Sequence, residues 1–328
     1  MRTPELVVLY EHPEWQKPLF AALERRGVPY LAYDLKSAAF GEEDLPDAPL
    51  YFNQASPSAY VRGNARAVPY TLAFLRHLEE RGARVLNGAR AFQLELSKSS
   101  QAALLRRLSV DHPRTVSFDD VAALGGRADL SWPAILKPEQ GGSGARMHLV
   151  HSLEELEDLL DQRSDLWLPD NLLLLQEYLP HDPERGIVRL EFLGGKLLYA
   201  MRVVSHGRFN LCPSEVCNPA SPAESSYREV EPGPAPPVEF YPYPEVPWEA
   251  VGIGRRIFEA AGLDVGGIEY LETLDGRRAF YDINANSNLR PPVAEAFGFD
   301  PFEQVVDFLL TRRRALDFGH CQSALWRT

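Results

Sequence analysis

The first hundred residues carry four short apolar runs separated by stretches of helical spacing, and this alternation limits the fold more than any other feature of the chain. Residues 6–10, 28–35, 50–52 and 85–86 read as strands. Between the first two, Trp15, Leu19, Ala22 and Leu23 recur on one helical face, and Gly27 supplies a stop. Leu72, Leu75 and Leu78 mark a second helix over 67–81, ended by Gly82. Strands joined by helices pair in parallel, because the chain must cross over before it can return in the same direction. The result is a sheet covered on both faces, with its ligand beyond the carboxyl ends of its strands.

The rest of the chain changes character. Leu94, Leu104, Leu105 and Leu108 predict one long helix over 91–108. A strand over 133–138 then runs into Gly141-Gly142-Ser143-Gly144, followed by a strand at 146–150, a helix at 153–160 and an apolar strand leading into Gln176-Glu177-Tyr178-Leu179. This is a small α+β unit. Strands at 187–193 and 196–204 form a hairpin about Gly194-Gly195. Residues 219–247 hold nine prolines, which cannot sit inside a sheet or helix, so this segment is expected to be a long loop or lid. A helix over 248–261 is stopped by Gly262, and strands at 267–273 and 278–284 pair antiparallel around Asp275-Gly276. A last helix over 301–314 ends in Arg312-Arg313-Arg314, cations suited to the negative end of a helix.

Composition removes several function classes. With 328 residues, 45% of them apolar, the chain can build two or three units. Its 34 basic and 46 acidic residues give a net charge of −12, which argues against a general nucleic-acid surface. Three cysteines cannot form a disulfide framework, and Cys212 and Cys217 read as free thiols in a reducing compartment. No apolar run approaches the ~18 residues of a membrane span. A cytoplasmic location is expected, and the sequence is compatible with a homo-oligomer.

The chemistry is spread over distant motifs. No Walker A pattern occurs, because Leu197 follows Gly194-Gly195-Lys196 where a Ser or Thr should stand. His148 and His151 lack a second pair of metal-ligand spacing and read as structural. Lys137 ends an apolar strand just before the Gly-Gly-Ser-Gly turn, a setting in which backbone N–H groups approach phosphate oxygens and the lysine supplies counter-charge. Gln176 to Leu179 form an extended junction able to hydrogen-bond a purine edge. In Tyr281-Asp282-Ile283-Asn284, alternation puts Asp282 and Asn284 on one face and Tyr281 and Ile283 on the other. Glu269 on the paired strand faces the same site. This all-oxygen set suits Mg²⁺ or Mn²⁺ held against phosphates; by itself the strand also reads as a polar face followed by an Asn-rich turn.

Taken in order, these parts resemble the ATP-grasp superfamily, and within it the branch of ribosomal-protein glutamate ligases and lysine-biosynthesis ligases. The resemblance runs from about residue 85 to 310. It rests on Ser97-Lys98 with Gln101, Pro113-Arg114-Thr115, Ile135-Leu136-Lys137-Pro138 with the glycine turn, Gln176-Glu177-Tyr178, Gly267-Ile268-Glu269 and Asp282-Ile283-Asn284-Ala285-Asn286. It implies an α/β and α+β chain: a parallel-sheet front domain (1–95), then a two-part ATP-grasp fold (96–185 and 186–328) clasping ATP, with the insertion 219–247 in the second part.

By this resemblance Lys98 and Lys137 hold ATP phosphates, and Gly141, Gly142, Ser143 and Gly144 close over them. Gln176, Glu177 and Leu179 line the adenine site, and Glu184 reaches the ribose. Glu269, Asp282 and Asn284 bind two Mg²⁺ ions, with Mn²⁺ as the alternative. Arg202, Arg208 and Asn210 stand by the reacting groups, and Arg189 matches a basic position on a central strand. Two acids are exchanged relative to the usual pattern: Glu269 stands for Asp and Asp282 for Glu. The implied reaction is ATP-dependent amide or peptide bond formation through an acyl phosphate, on amino-acid or peptide substrates, with no nucleic-acid or membrane partner. Phosphotransfer to a small-molecule hydroxyl and nucleotide binding without turnover are the alternatives.

Overall fold

In the computed structural model, which describes residues 3–127, 130–142, 144–209, 238–287 and 289–325, the described strands fall into three sheets. The front sheet holds β1 (Leu6–Tyr10), β2 (Tyr30–Asp34), β3 (Tyr51–Gln54) and β4 (Val85–Leu86) in the order β2-β1-β3-β4, all parallel, as the alternation predicts. Central β1 is buried on both faces. Its Leu6 and Val8 pack with Leu19 and Leu23 of α1 (Pro13–Arg25), while Val7 and Leu9 pack with Phe74, Leu75 and Leu78 of α2 (Ala67–Glu80). His12 starts α1 by accepting the Trp15 N–H on its Nδ1 at 3.3 Å.

Two helices, α3 (Ala89–Leu96) and α4 (Lys98–Arg107), replace the single helix expected over 91–108. Ser97 stands between them with extended backbone, φ −120° and ψ 103°, and its Oγ accepts the Ser100 N–H at 3.1 Å. A serine placed to cap a new helix competes with continuation of the old one. Glu139 holds the break, accepting the Ser99 N–H at 3.0 Å and its hydroxyl at 2.6 Å. Lys98 therefore opens a helix rather than sitting inside one.

The second sheet is antiparallel, with β5 (Thr115–Phe118), β6 (Ala134–Pro138), β7 (His148–Val150) and β8 (Leu173–Glu177) in the order β5-β8-β6-β7. Leu156 and Leu160 of α5 (Leu153–Gln162) cover one face of it. The third sheet takes β9 (Ile187–Leu193), β10 (Lys196–Val204), β11 (Glu239–Pro242), β12 (Val265–Glu272) and β13 (Arg278–Asn284) in the order β11-β10-β9-β12-β13, also antiparallel. Gly194 and Gly195 turn β9 into β10 at φ 58° and 83°, values open to glycine at little cost. α6 (Trp248–Ala261) covers one face, packing Ile257 and Phe258 on Leu190 and Phe192. α7 (Pro291–Glu295) and α8 (Pro301–Leu325) follow β13.

Two sequence expectations change here. Part of the proline-rich segment does join a sheet: β11 pairs with β10 at the edge, the place where a strand tolerates a proline such as Pro242. Residues 219–237 lie outside the described residues. The last helix does not stop at Arg314 but runs to Leu325, so Arg312, Arg313 and Arg314 lie within it and do not complement its end. Ala315 and Leu316 continue it with strong helix formers. Arg312 instead stacks on Phe308 at 4.9 Å, and Arg313 pairs with Asp317 at 2.6 Å. Among the described residues no helix is long and apolar enough to cross a membrane.

Candidate active site

The two antiparallel sheets turn their other faces toward a shared cavity of about 240 Å³. Strand alternation decides what each face presents. In β6, Ala134 and Leu136 go to the core under α5, while Ile135 and Lys137 go to the cavity. Gln176 of β8 joins them there, and its Oε1 accepts the Lys137 ammonium at 2.8 Å. Burial pushes the Lys137 pKa down to about 7, with Lys98 nearby adding to the effect.

On the facing sheet Asp282, Glu269, Arg189 and Met201 are successive register partners across β13, β12, β9 and β10. Neighbouring strands lie ~4.8 Å apart, so two carboxylates, a guanidinium and a thioether stand in one row. Gly267 makes the middle of that row buildable. A Cβ there would come within 2.5 Å of Arg189 Nη2, so glycine lets the guanidinium lie across β12. Arg189 donates from Nε to Glu191 at 2.6 Å and from Nη1 to Glu269 at 2.7 Å. Ser287 donates its hydroxyl to the other oxygen of Glu191. Burial works against the Arg189 charge, but Glu191 and Glu269 outweigh it and hold the guanidinium more firmly protonated than usual. Burial raises the Glu269 pKa, and repulsion from Asp282 raises it further. Asp282 is buried as well, yet its close ion pair with Lys98 and the charge of Lys137 draw its pKa down.

The alternation expected in β13 is interrupted. Glu269 pairs with Asp282 and Tyr270 with Phe280, which leaves Tyr281 as the extra residue of a β-bulge. A bulge re-aims one side chain. Tyr281 therefore lines the cavity beside Asp282, instead of facing away, and its hydroxyl donates to Glu269 Oε2 at 2.8 Å. Ile283 does face the opposite core. Asn284 returns to the cavity and donates to Asp282 Oδ2 at 3.3 Å. Gln101 fixes this edge from α4: its Nε2 donates to the Ile283 carbonyl at 3.0 Å and its Oε1 accepts the Ile283 N–H at 3.0 Å.

Glu269, Asp282 and Asn284 fit a hard divalent cation. Their donors are all oxygens, and a cation would relieve the repulsion that raises Glu269. Among the described residues no cluster of three or more histidine, cysteine, aspartate or glutamate side chains is positioned to hold a metal unaided.

The glycine turn closes the cavity from the second sheet toward the front unit. A Cβ on Gly141 would lie 3.3 Å from Lys98 Cε, and one on Gly142 only 2.5 Å from Ser58 Cβ. Gln140 ties the same turn to the front unit, donating to the Pro57 carbonyl at 3.2 Å. Gly144 takes φ 74°.

The structure thus brings Lys98, Lys137, Gly141, Gly142, Gly144, Gln176, Glu177, Leu179, Arg208, Glu269, Asp282 and Asn284 to one cavity. Ser143 and Asn210 lie outside the described residues, as do Cys212 and Cys217. Arg202 is not brought there. Met201 and Val203 line the cavity, so Arg202 between them faces away, donating to Glu272 at 2.9 Å and stacking on Tyr243 at 4.1 Å. Glu184 lies off the cavity wall, 3.3 Å from His206 Nδ1.

Several lining residues escaped the sequence reading. Trp15 and Ser58 come from the front unit, and Asn286 ties to it by donating to the Gln54 carbonyl at 2.6 Å. Glu95 of α3 also lines the cavity while only 5% exposed. One of its oxygens accepts the Asn286 N–H at 3.2 Å and the other has no hydrogen-bond partner. Burial pushes its pKa up to about 8. The available signal was spacing: Glu95 falls on the helix face of Ala91 and Phe92, where an apolar residue is expected.

No protein-family model matches the chain, and no curated protein matches it in sequence. Solved structures do match. The ATP-grasp ligase PsnB, solved with a minimal precursor, superposes with a TM-score of 0.65 at 18% identity, covering 94% of this chain and 99% of its own. A RimK domain ATP-grasp protein from Sphaerobacter thermophilus gives 0.62 at 18% identity, covering 93% and 99%. The chain has the ATP-grasp fold. D-alanine–D-alanine ligase from Bacillus anthracis shares that ATP-grasp fold at a TM-score of 0.65 and 13% identity, over 97% and 99% of the two chains. All three superpositions take in nearly the whole chain, front sheet included.

Proposed function

We propose that this chain is an ATP-dependent carboxylate–amine ligase that forms an amide or peptide bond through an acyl phosphate, acting on an amino acid or peptide. The observation that carries the reading is the opposition of two sheets: Lys137 and the glycine turn on one face the Asp282–Glu269–Arg189 row on the other. PsnB has been solved with Mg, ADP and a minimal precursor, which supports the same class of ligands here.

In this reading Lys98 and Lys137 hold the phosphates. Lys137 keeps its proton poorly when buried alone, so a polyanion beside it restores the charge. Gly141 to Gly144 cover the phosphates, and Gln176, Glu177 and Leu179 receive the adenine. Glu184 approaches the ribose by leaving His206. Glu269, Asp282 and Asn284 hold two Mg²⁺ ions, or Mn²⁺; when bound, these neutralise phosphate oxygens. Arg208, whose guanidinium has no side-chain partner among the described residues, faces the charge that develops as the carboxylate attacks. Arg202 supports β10 through Glu272. The glycine turn excludes water from an acyl phosphate that water would destroy.

Residues 1–95, 96–185 and 186–328 are the working units, and the protein acts in the cytoplasm, as a monomer or a homo-oligomer. The test is ADP release across a matrix of amino acids and dipeptides with Mg²⁺-ATP, with mass spectrometry of the products. A product heavier than the acid by the amine minus water supports the reading. ADP release accompanied by a phosphoester refutes it.

A further inference from the structure

The second half of the proposed reaction needs a proton acceptor. An amine arrives at neutral pH as an ammonium, R–NH₃⁺, and cannot attack a carbonyl until one proton has left. Almost every carboxylate on the cavity wall already has an occupation. Glu269 and Asp282 hold the cation in the reading above and also bind Arg189 and Lys98. Glu177 accepts the Arg114 N–H at 3.1 Å. Just off the wall, Glu191 is bound by Arg189 and Ser287, and Glu139 by the serines that start α4.

Glu95 is the exception among the described residues. Its Oε1 accepts one long backbone hydrogen bond, from Asn286 at 3.2 Å, and its buried Oε2 accepts none. α3 carries it to the wall of the cavity, next to the loop that leaves the cation strand β13. The charged groups around it are Lys98 from α4, Asp282 from β13 and Arg189 from β9. Lys98 and Arg189 are each engaged by other acids, so neither pairs with Glu95.

We propose that Glu95 is a catalytic residue of the second half-reaction: its carboxylate takes the first proton from the incoming ammonium. This rests on the ligase reading and deepens it. The freed nitrogen lone pair attacks the acyl phosphate carbon and the C–N bond forms. The C–O bond to phosphate breaks, and its electron pair leaves with the phosphate oxygen. Of the two protons the nitrogen gives up, Glu95 takes the first and the departing phosphate the second, giving the amide, hydrogen phosphate and a protonated Glu95 that returns its proton to water. Burial strengthens the carboxylate as a base: with a pKa of about 8 most of it is protonated at pH 7, and the ionised fraction that takes the proton grows as pH rises toward 8.

The proposal separates two activities that an ordinary binding defect would lose together. Hydroxylamine is already neutral at neutral pH and needs no base, so it captures an acyl phosphate without Glu95. Glu95→Gln keeps the shape of the side chain and removes its basicity. With the acid and amine found in the matrix above, E95Q is expected to form hydroxamate within about threefold of the wild-type rate. Its amide formation should fall by at least about 100-fold in kcat, the usual scale of a positioned base. That deficit should widen as pH rises toward 8 and wild-type Glu95 ionises, then shrink at higher pH as the amine loses its proton unaided. Glu95→Asp, a shorter base, should fall between the two. A thermal melt of each variant establishes that it is folded. Equal loss of hydroxamate and amide in folded E95Q overturns the proposal, as does retention of both. A wild-type protein that forms neither hydroxamate nor amide from any acid of the matrix with Mg²⁺-ATP overturns the ligase reading itself and this proposal with it.

Discussion

Gly142→Ala tests whether the seat of the glycine turn on the front unit governs turnover. A Cβ at this position would lie 2.5 Å from Ser58 Cβ and 2.9 Å from Ser58 Cα, whereas ordinary van der Waals separations begin at 3.4 Å. Gly142 is not among the positive-φ glycines, so alanine adds no backbone strain and the effect is the collision alone. Ser58 is 3% exposed and lies in a short 3-10 helix, Pro57–Arg62, anchored by Arg62, which donates to Ser58 Oγ at 2.9 Å and pairs with buried Glu11. The glycine turn is therefore the part that moves, by roughly 1 Å. A displacement of about 1 Å in a group that positions reacting atoms costs roughly 10²-fold, or about 2.7 kcal/mol of barrier. The assay is kcat/KM for ADP release with the acid and amine identified above, alongside a thermal melt. Adding Ser58→Gly removes the clash with the serine side chain but leaves the clash with its backbone, so the double variant should recover only part of the loss. G142A turning over within twofold of wild type would refute the reasoning.

Other perturbations probe the floor of the cavity. Asp282→Ala should abolish ATP turnover while leaving the circular dichroism spectrum unchanged; wild-type turnover in the folded variant would sink the cation assignment. Arg189→Met leaves Glu191 and Glu269 buried without their counter-charge, and urea titration should show a loss of about 3–5 kcal/mol. Ser97→Ala removes the cap of α4 and should cost about 1 kcal/mol by the same titration. Glu95 holds its proton more tightly folded, at about 8, than at its ordinary 4.5. Its contribution to stability is therefore full below the lower value and is lost as pH rises through the higher one. Wild type should accordingly lose stability between those limits relative to E95Q, as measured by melts across pH; parallel curves would contradict the shift.

Much of this architecture was legible because the local signals agreed with one another. The four runs of the front unit, the Gly194-Gly195 hairpin and the Asp275-Gly276 pair all lie where periodicity and turn chemistry put them. The parts that were not legible depend on parity or on distance. Ala200, Met201, Val203 and Val204 are apolar on both faces of β10, so the run does not reveal which way Arg202 points. The bulge at Tyr281 shifts alternation by one residue without a glycine to announce it. The break at Ser97 is written as a cap, but it competes with leucine spacing on both sides, and Glu139, 40 residues beyond Ser99, decides it. Glu95 acquires its meaning from Asn286, 191 residues away. β11 forms because an edge strand of four residues is short enough to end at its proline.

In the proposed reaction a substrate carboxylate attacks the terminal phosphate of ATP. This attack is tested most directly by labelling both oxygens of that carboxylate with ¹⁸O and following inorganic phosphate by ³¹P NMR during turnover. An acyl phosphate transfers one carboxylate oxygen to phosphate when the amine displaces it. One ¹⁸O is expected in each phosphate released with the amide. Unlabelled phosphate, at a rate matching ADP release, would contradict it.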